Sequence, residues 1–118
     1  MKKTNKIISF LMCLTMISCN SDKEIIELLN SKNKDEIILG ANKAGTSGKL
    51  KFVPYILNNA EDWRMSTNFS FKGVTVYKAK MEALQKILKE QPPTEITYKP
   101  DSTIIKFYTS IYEQTKKE

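Results

Sequence analysis

The sequence predicts an all-α fold, a short α-solenoid-like stack of about two helical hairpins with a capping helix and one loop insertion. Three observations lead there. Apolar residues return at helical spacing in successive stretches of the chain after residue 20, several of which open on a capping signal (Ser21, Asn33, Asp101) or close on Gly45 or Pro92-Pro93. The helical stretches are short and come in pairs around a Gly-rich turn. Only Thr94 to Lys99 alternates, and weakly, which predicts a short extended segment.

In chain order, Ser21-Asp22-Lys23-Glu24 has the S-x-x-E form of a capping box and predicts a short helix carrying Ile25, Ile26, Leu28 and Leu29, ending near Asn30. Asn33 is placed to cap a second helix, with Glu36 three residues on and Ile37, Ile38, Ala41 and Ala44 along one face. Gly45 is the expected stop, followed by a turn to Gly48. Leu50, Val53, Ile56 and Leu57 then mark a third helix from near Lys51 to about Asn59, since Pro54 is tolerated only in a first turn. Tyr77, Met81, Leu84 and Leu88, flanked by Ala79, Ala83 and Ile87, form the clearest amphipathic stripe, which runs up to Pro92-Pro93. Pro100-Asp101 opens a last helix with Ile104, Ile105, Tyr108, Ile111 and Tyr112 facing inward and Lys116-Lys117 at its C-terminal dipole.

The small residues Ala41, Ala44 and Gly45, the turn Gly48-Lys49 and the run Phe52-Val53-Pro54-Tyr55-Ile56-Leu57 together resemble a HEAT repeat. In that family a small-residue helix, a turn and a V-P-x-L-type second helix succeed one another. Asp62-Trp63-Arg64 resembles the D-x-R that opens a following repeat, and Ala79 with Ala83-Leu84 matches the small positions of its first helix. The resemblance spans Asn33 to about Leu88. It implies a concave helical surface suited to protein binding, and that Asp62 and Arg64 brace one repeat on the next. It implies no shared active site.

The N-terminus carries a different signal. Lys2, Lys3 and Lys6 precede an apolar run from Ile7 to Ile17, and Met16-Ile17-Ser18-Cys19 closes it. The run is too short for a membrane-spanning helix, which needs about 20 apolar residues. The ending resembles the lipobox of bacterial lipoproteins, in which the Cys is acylated and the chain is cut before it. That resemblance implies a signal peptide at 1–18, a lipid-anchored segment with a short helix at 19–32 and a helical domain at 33–118. The protein is then expected in the bacterial cell envelope, held by lipid on Cys19, with the outer membrane the expected site. Asn20 to Glu24 also resembles the polar and acidic tags that send lipoproteins to the outer face in some Gram-negative lineages.

Composition removes several function classes. Of the 19 Lys and Arg, three leave with residues 1–18, so 16 face 13 acids and the mature chain is near +3. Lys and Glu alternate along most segments, with no concentrated basic stripe for nucleic acid. The chain has no His, and of its two Cys one is discarded and the other lipidated. This removes zinc sites, Cys nucleophiles and disulfides, so no metal and no cofactor is expected. Lys43 to Leu50 misses the phosphate-loop pattern at its first Gly, at the residue after the Lys and in its preceding element. The acid pairs Asp35-Glu36 and Glu61-Asp62 are neighbours in sequence and point in different directions, unlike carboxyls facing across a cleft. No catalytic residue is assigned.

The segment from Trp63 to Tyr77 is what a minimal helical stack does not need. It holds Trp63, Arg64, Phe69, Phe71 and Lys72 among polar Ser and Asn, residue types enriched at interface hot spots. The expected function is a non-enzymatic, membrane-anchored protein-binding or scaffold module, its partner another envelope protein. The competing account folds Trp63 and Phe71 back into the groove between hairpins. Alternative functions are a cell-wall glycan-acting enzyme or accessory protein using Glu61 or Asp62, and a periplasmic immunity-type protein. Asp101-Ser102-Thr103 resembles an O-glycosylation site, while Asp101 or Ser102 equally serves as a helix N-cap.

Overall fold

A computed structural model describes residues 21–118. Cys19, the lipobox and residues 1–18 lie outside the described residues. The fold is all-α: among the described residues the regular elements are helices, and the one β feature is an isolated antiparallel bridge between Met65 and Thr75. Residues 21–29 form α1. They are followed by α2 (Lys34–Ser47), α3 (Val53–Leu57), α4 (Val76–Leu88) and α5 (Ser102–Lys117), with 3-10 turns at Leu50–Phe52 and Phe69–Phe71.

Residue 21 is already helical, so Ser21 stands inside α1 and the expected capping box is not formed. Glu24 instead takes the Lys43 ammonium at 3.1 Å, and Asp22 takes Lys49 and Lys51 at 2.9 and 3.0 Å, which holds its carboxyl below the usual range. Asn33 caps α2 as expected, its side-chain oxygen accepting from the backbone N–H of Asp35 and Glu36. The helix does not stop at Gly45. It runs to Ser47, and Gly48 takes the left-handed conformation (φ 70°) at its end.

Gly45 serves packing, because a Cβ there would sit 3.1 Å from Ala83 Cα on α4. Gly40 plays the same part towards α1, where a Cβ would meet Leu28 Cβ at 2.8 Å. Missing side chains let α2 lie close against α1 on one side and α4 on the other. Pro54 falls in the first turn of α3, as its lack of an N–H requires. Thr75 caps α4, and Lys89 in the left-handed region ends it before Pro92 is reached.

From Lys89 to Asp101 the chain returns without strand pairing, so the segment 94–99 expected to be extended joins no sheet. This stretch is tied down from outside, by Tyr108 Oη donating to the Glu90 carbonyl and Thr75 Oγ1 donating to that of Tyr98, both at 2.9 Å. Asp101, rather than Ser102, is the N-cap of α5, accepting from Thr103 N–H at 2.8 Å.

The core gathers Ile38 from α2, Phe52 and Ile56 around α3, Tyr77, Met81 and Leu84 from α4, and Ile104 and Tyr108 from α5. Its two tyrosines differ in one respect. Tyr108 Oη has its carbonyl partner, whereas the Tyr77 hydroxyl lies buried by the Asp101 backbone without a hydrogen bond in good geometry. Burial raises both phenols, that of Tyr108 to about 12. Tyr77→Phe should therefore leave stability unchanged or raise it by up to about 1 kcal/mol, while Tyr108→Phe should lower it by about 1 kcal/mol. Urea unfolding of both variants checks this, and equal losses would show that Tyr77 has a partner after all.

Candidate functional site

The inserted segment is closed at its base by backbone pairing. Ser66 N–H donates to Val74 O at 2.9 Å, Val76 N–H to Arg64 O at 3.0 Å and Tyr77 N–H to Asp62 O at 2.8 Å. Ser66 is 2% exposed, its hydroxyl donating to Asp35 at 2.5 Å and accepting from Asn68 N–H, which ties the loop to the start of α2. Asn68 caps the Phe69–Phe71 turn, and Gly73 (φ 82°) makes the return bend in a region that disfavours any side chain. The loop is thus held in one path by polar groups, leaving its aromatics for other use.

Those aromatics divide. Trp63 is 74% exposed and Phe69 95% exposed, so neither plugs a groove. Phe71 is half-buried against the core, and Lys72 is exposed. Arg64 turns away from Trp63 towards a different cavity, so the five residues do not face one way. Trp63 instead borders a shallow apolar cleft of about 300 Å³ with Met65, Tyr98 and Pro100. Met65 and Tyr98 had not been singled out in the sequence. Tyr98 belongs to the return segment, 35 residues from Trp63 in the chain, and its carbonyl accepts from Thr75 Oγ1 beside the cleft.

Behind Trp63 lies a second, polar cavity of about 320 Å³ between the α1–α2 turn and the α3–α4 connection. Arg64 spans its rim. The guanidinium contacts both Asp62 oxygens at 2.6 to 3.1 Å and donates to the Lys32 carbonyl at 2.9 Å. Asp62 and Arg64 therefore brace the α1–α2 turn across the chain. The charge-assisted bonds hold the Asp62 carboxyl below its usual range, the opposite shift from the one a general acid needs.

Lys80 also lines this cavity. It is 3% exposed, and its ammonium donates to the Asn58 carbonyl at 2.6 Å. Desolvation lowers its pKa to about 8 despite the field of Asp62. The signal for it was present in the sequence: Lys80 falls between Tyr77 and Leu84 at core spacing on the α4 stripe, where a charged residue does not belong without a reason.

The remaining motifs resolve into structure. Lys43 to Gly48 is the last turns and cap of α2, the wrong geometry for a phosphate loop. Asp35 serves Ser66, and Glu36 accepts from the Ser31 hydroxyl at 2.9 Å. Ser102 and Thr103 are exposed in the first turn of α5. Among the described residues no three His, Cys, Asp or Glu side chains cluster for a metal, and no helix is long and apolar enough to cross a membrane. Comparison with protein-family models, curated proteins and solved structures finds no match to this chain.

Proposed function

We propose that this chain is a non-enzymatic, lipid-anchored protein-binding module of the bacterial cell envelope, held by Cys19 and engaging another envelope protein through the surface around Trp63 and Phe69. The observation that carries the reading is that a loop braced by buried polar contacts presents Trp63 and Phe69 to solvent at 74% and 95% exposure. Large exposed aromatics on an ordered backbone lose little conformational freedom on binding and are the residue types that dominate interface energetics. The Trp63–Met65–Tyr98 cleft supplies a receptive apolar hollow beside them. In this reading the helical pairs stack in the manner of HEAT repeats, and residues 1–18 are the signal peptide.

The test has two arms. Trp63→Ala and Phe69→Ala should leave the melting temperature within about 1–2 °C of wild type, since neither side chain is core. Each should weaken partner capture from native membranes by about 30-fold or more, the hot-spot range. Cys19→Ala should release an unprocessed or soluble product from the membrane fraction. A stable Trp63/Phe69 double variant that captures the partner at wild-type strength would overturn the binding surface. Unchanged membrane partitioning of Cys19→Ala would overturn the anchor.

A further inference from the structure

The buried ammonium of Lys80 is not matched by the protein around it. Among the described residues no carboxylate comes within 4.0 Å of its Nζ, and its hydrogen bond goes to the neutral carbonyl of Asn58. Asp62, the acid of that cavity, is bonded to Arg64 at 2.6 Å and reaches Lys80 only through its field, with no direct contact. Lys32 stands at the edge of the same cavity. Two basic side chains, Lys80 and Arg64, thus meet one acid in a polar hollow of about 320 Å³ whose wall includes apolar Leu29 and Ile37. A charge in such a place is costly unless paired, and a low-dielectric wall strengthens whatever pairs with it.

We propose that this cavity binds a small oxyanion, a carboxylate or a phosphate, on the Lys80 ammonium, with the N–H groups of Arg64 that Asp62 and the Lys32 carbonyl leave free beside it. The ammonium has three N–H groups, and the protein takes one in the hydrogen bond to Asn58, which leaves donors for the anion. Asn30 and Asn58 also line the cavity. The room suits a group of a few heavy atoms, such as a free phosphate or a carboxylate presented by a peptide. This site is independent of the Trp63 and Phe69 surface, so either reading survives the failure of the other.

The experiment is a thermal titration of the full chain in detergent with sodium phosphate, sodium acetate and a tripeptide bearing a free C-terminal carboxylate. Sodium chloride at matched ionic strength serves as reference. At least one oxyanion should raise the melting temperature by about 7 °C at tenfold its dissociation constant and in proportion to the logarithm of its concentration beyond that, while chloride should not. Lys80→Met, of similar length and apolar, should fold and lose the response, and Lys106→Met on exposed α5 should keep it. A larger effect of phosphate over both carboxylates identifies a phosphate site. A larger effect of the tripeptide than of acetate identifies a carboxylate carried by a polypeptide. A response equal to that of chloride for all three probes, or one that Lys80→Met retains, would overturn the proposal.

Discussion

Replacing Leu84 by Ala should lower the unfolding free energy by about 2–5 kcal/mol. Leu84 is fully buried on the inner face of α4, the helix against which α2, α3 and α5 all pack. Truncation removes the transfer energy of the lost methyl groups and leaves a cavity that the close α2–α4 approach at Gly45 and Ala83 resists closing. For a domain of this size, whose net stability is expected at about 5–15 kcal/mol, that loss is a large share. Circular dichroism should still show a helical spectrum with an earlier, cooperative transition. A loss below 1 kcal/mol would mean that α4 is not the spine of the core.

The second large effect concerns Lys80 and has an unusual sign. Its amine titrates near 8 in the folded state against 10.5 when unfolded, chiefly through desolvation, with Asp62 opposing and Arg64 reinforcing the shift. Between these values the unfolded chain binds more protons, so stability rises with pH. From pH 7 to about 10 the folded protein should gain up to about 3 kcal/mol at 1.36 kcal/mol per pK unit. Above pH 10 the buried phenol of Tyr108, raised to about 12, acts in reverse: the unfolded chain loses that proton first and stability falls.

Lys80→Met should flatten the rise and be the more stable protein at pH 7. Denaturant unfolding at pH 7, 8.5 and 10 measures both. A wild-type profile flat across this range would show that the ammonium is adequately solvated or already paired, and a destabilised Lys80→Met would show that the bond to the Asn58 carbonyl outweighs the burial.

Local rules carried the helices. Asn33 at the start of α2, Pro54 in the first turn of α3, Asp101 before α5 and the stripe through Tyr77, Met81 and Leu84 were all legible, because capping and amphipathic spacing act within a few residues. An aromatic segment that the stack does not require was legible too, but whether Trp63 and Phe69 face solvent or fill a groove was not. Two local signals misled. Gly45 has the look of a stop, yet α2 continues through it because Ala83 lies on the other side of that glycine. Ser21 has the look of a cap, yet it is itself helical.

What the sequence by itself determined was the all-helical class and its amphipathic faces, since each depends on chain neighbours three or four residues apart. Tertiary structure alone decided the candidate sites. Tyr98 reaches Trp63 through Thr75, Arg64 reaches the Lys32 carbonyl across the α1–α2 turn, and Ser66 reaches Asp35. The hydrogen bonds that hold these positions join residues 23 to 32 positions apart, and a bond at such separation is set by how the helices pack, which no local pattern encodes. Lys80 lies between the two cases: the spacing put a charge on the buried stripe, and only the cavity beside it explains what that charge has to face.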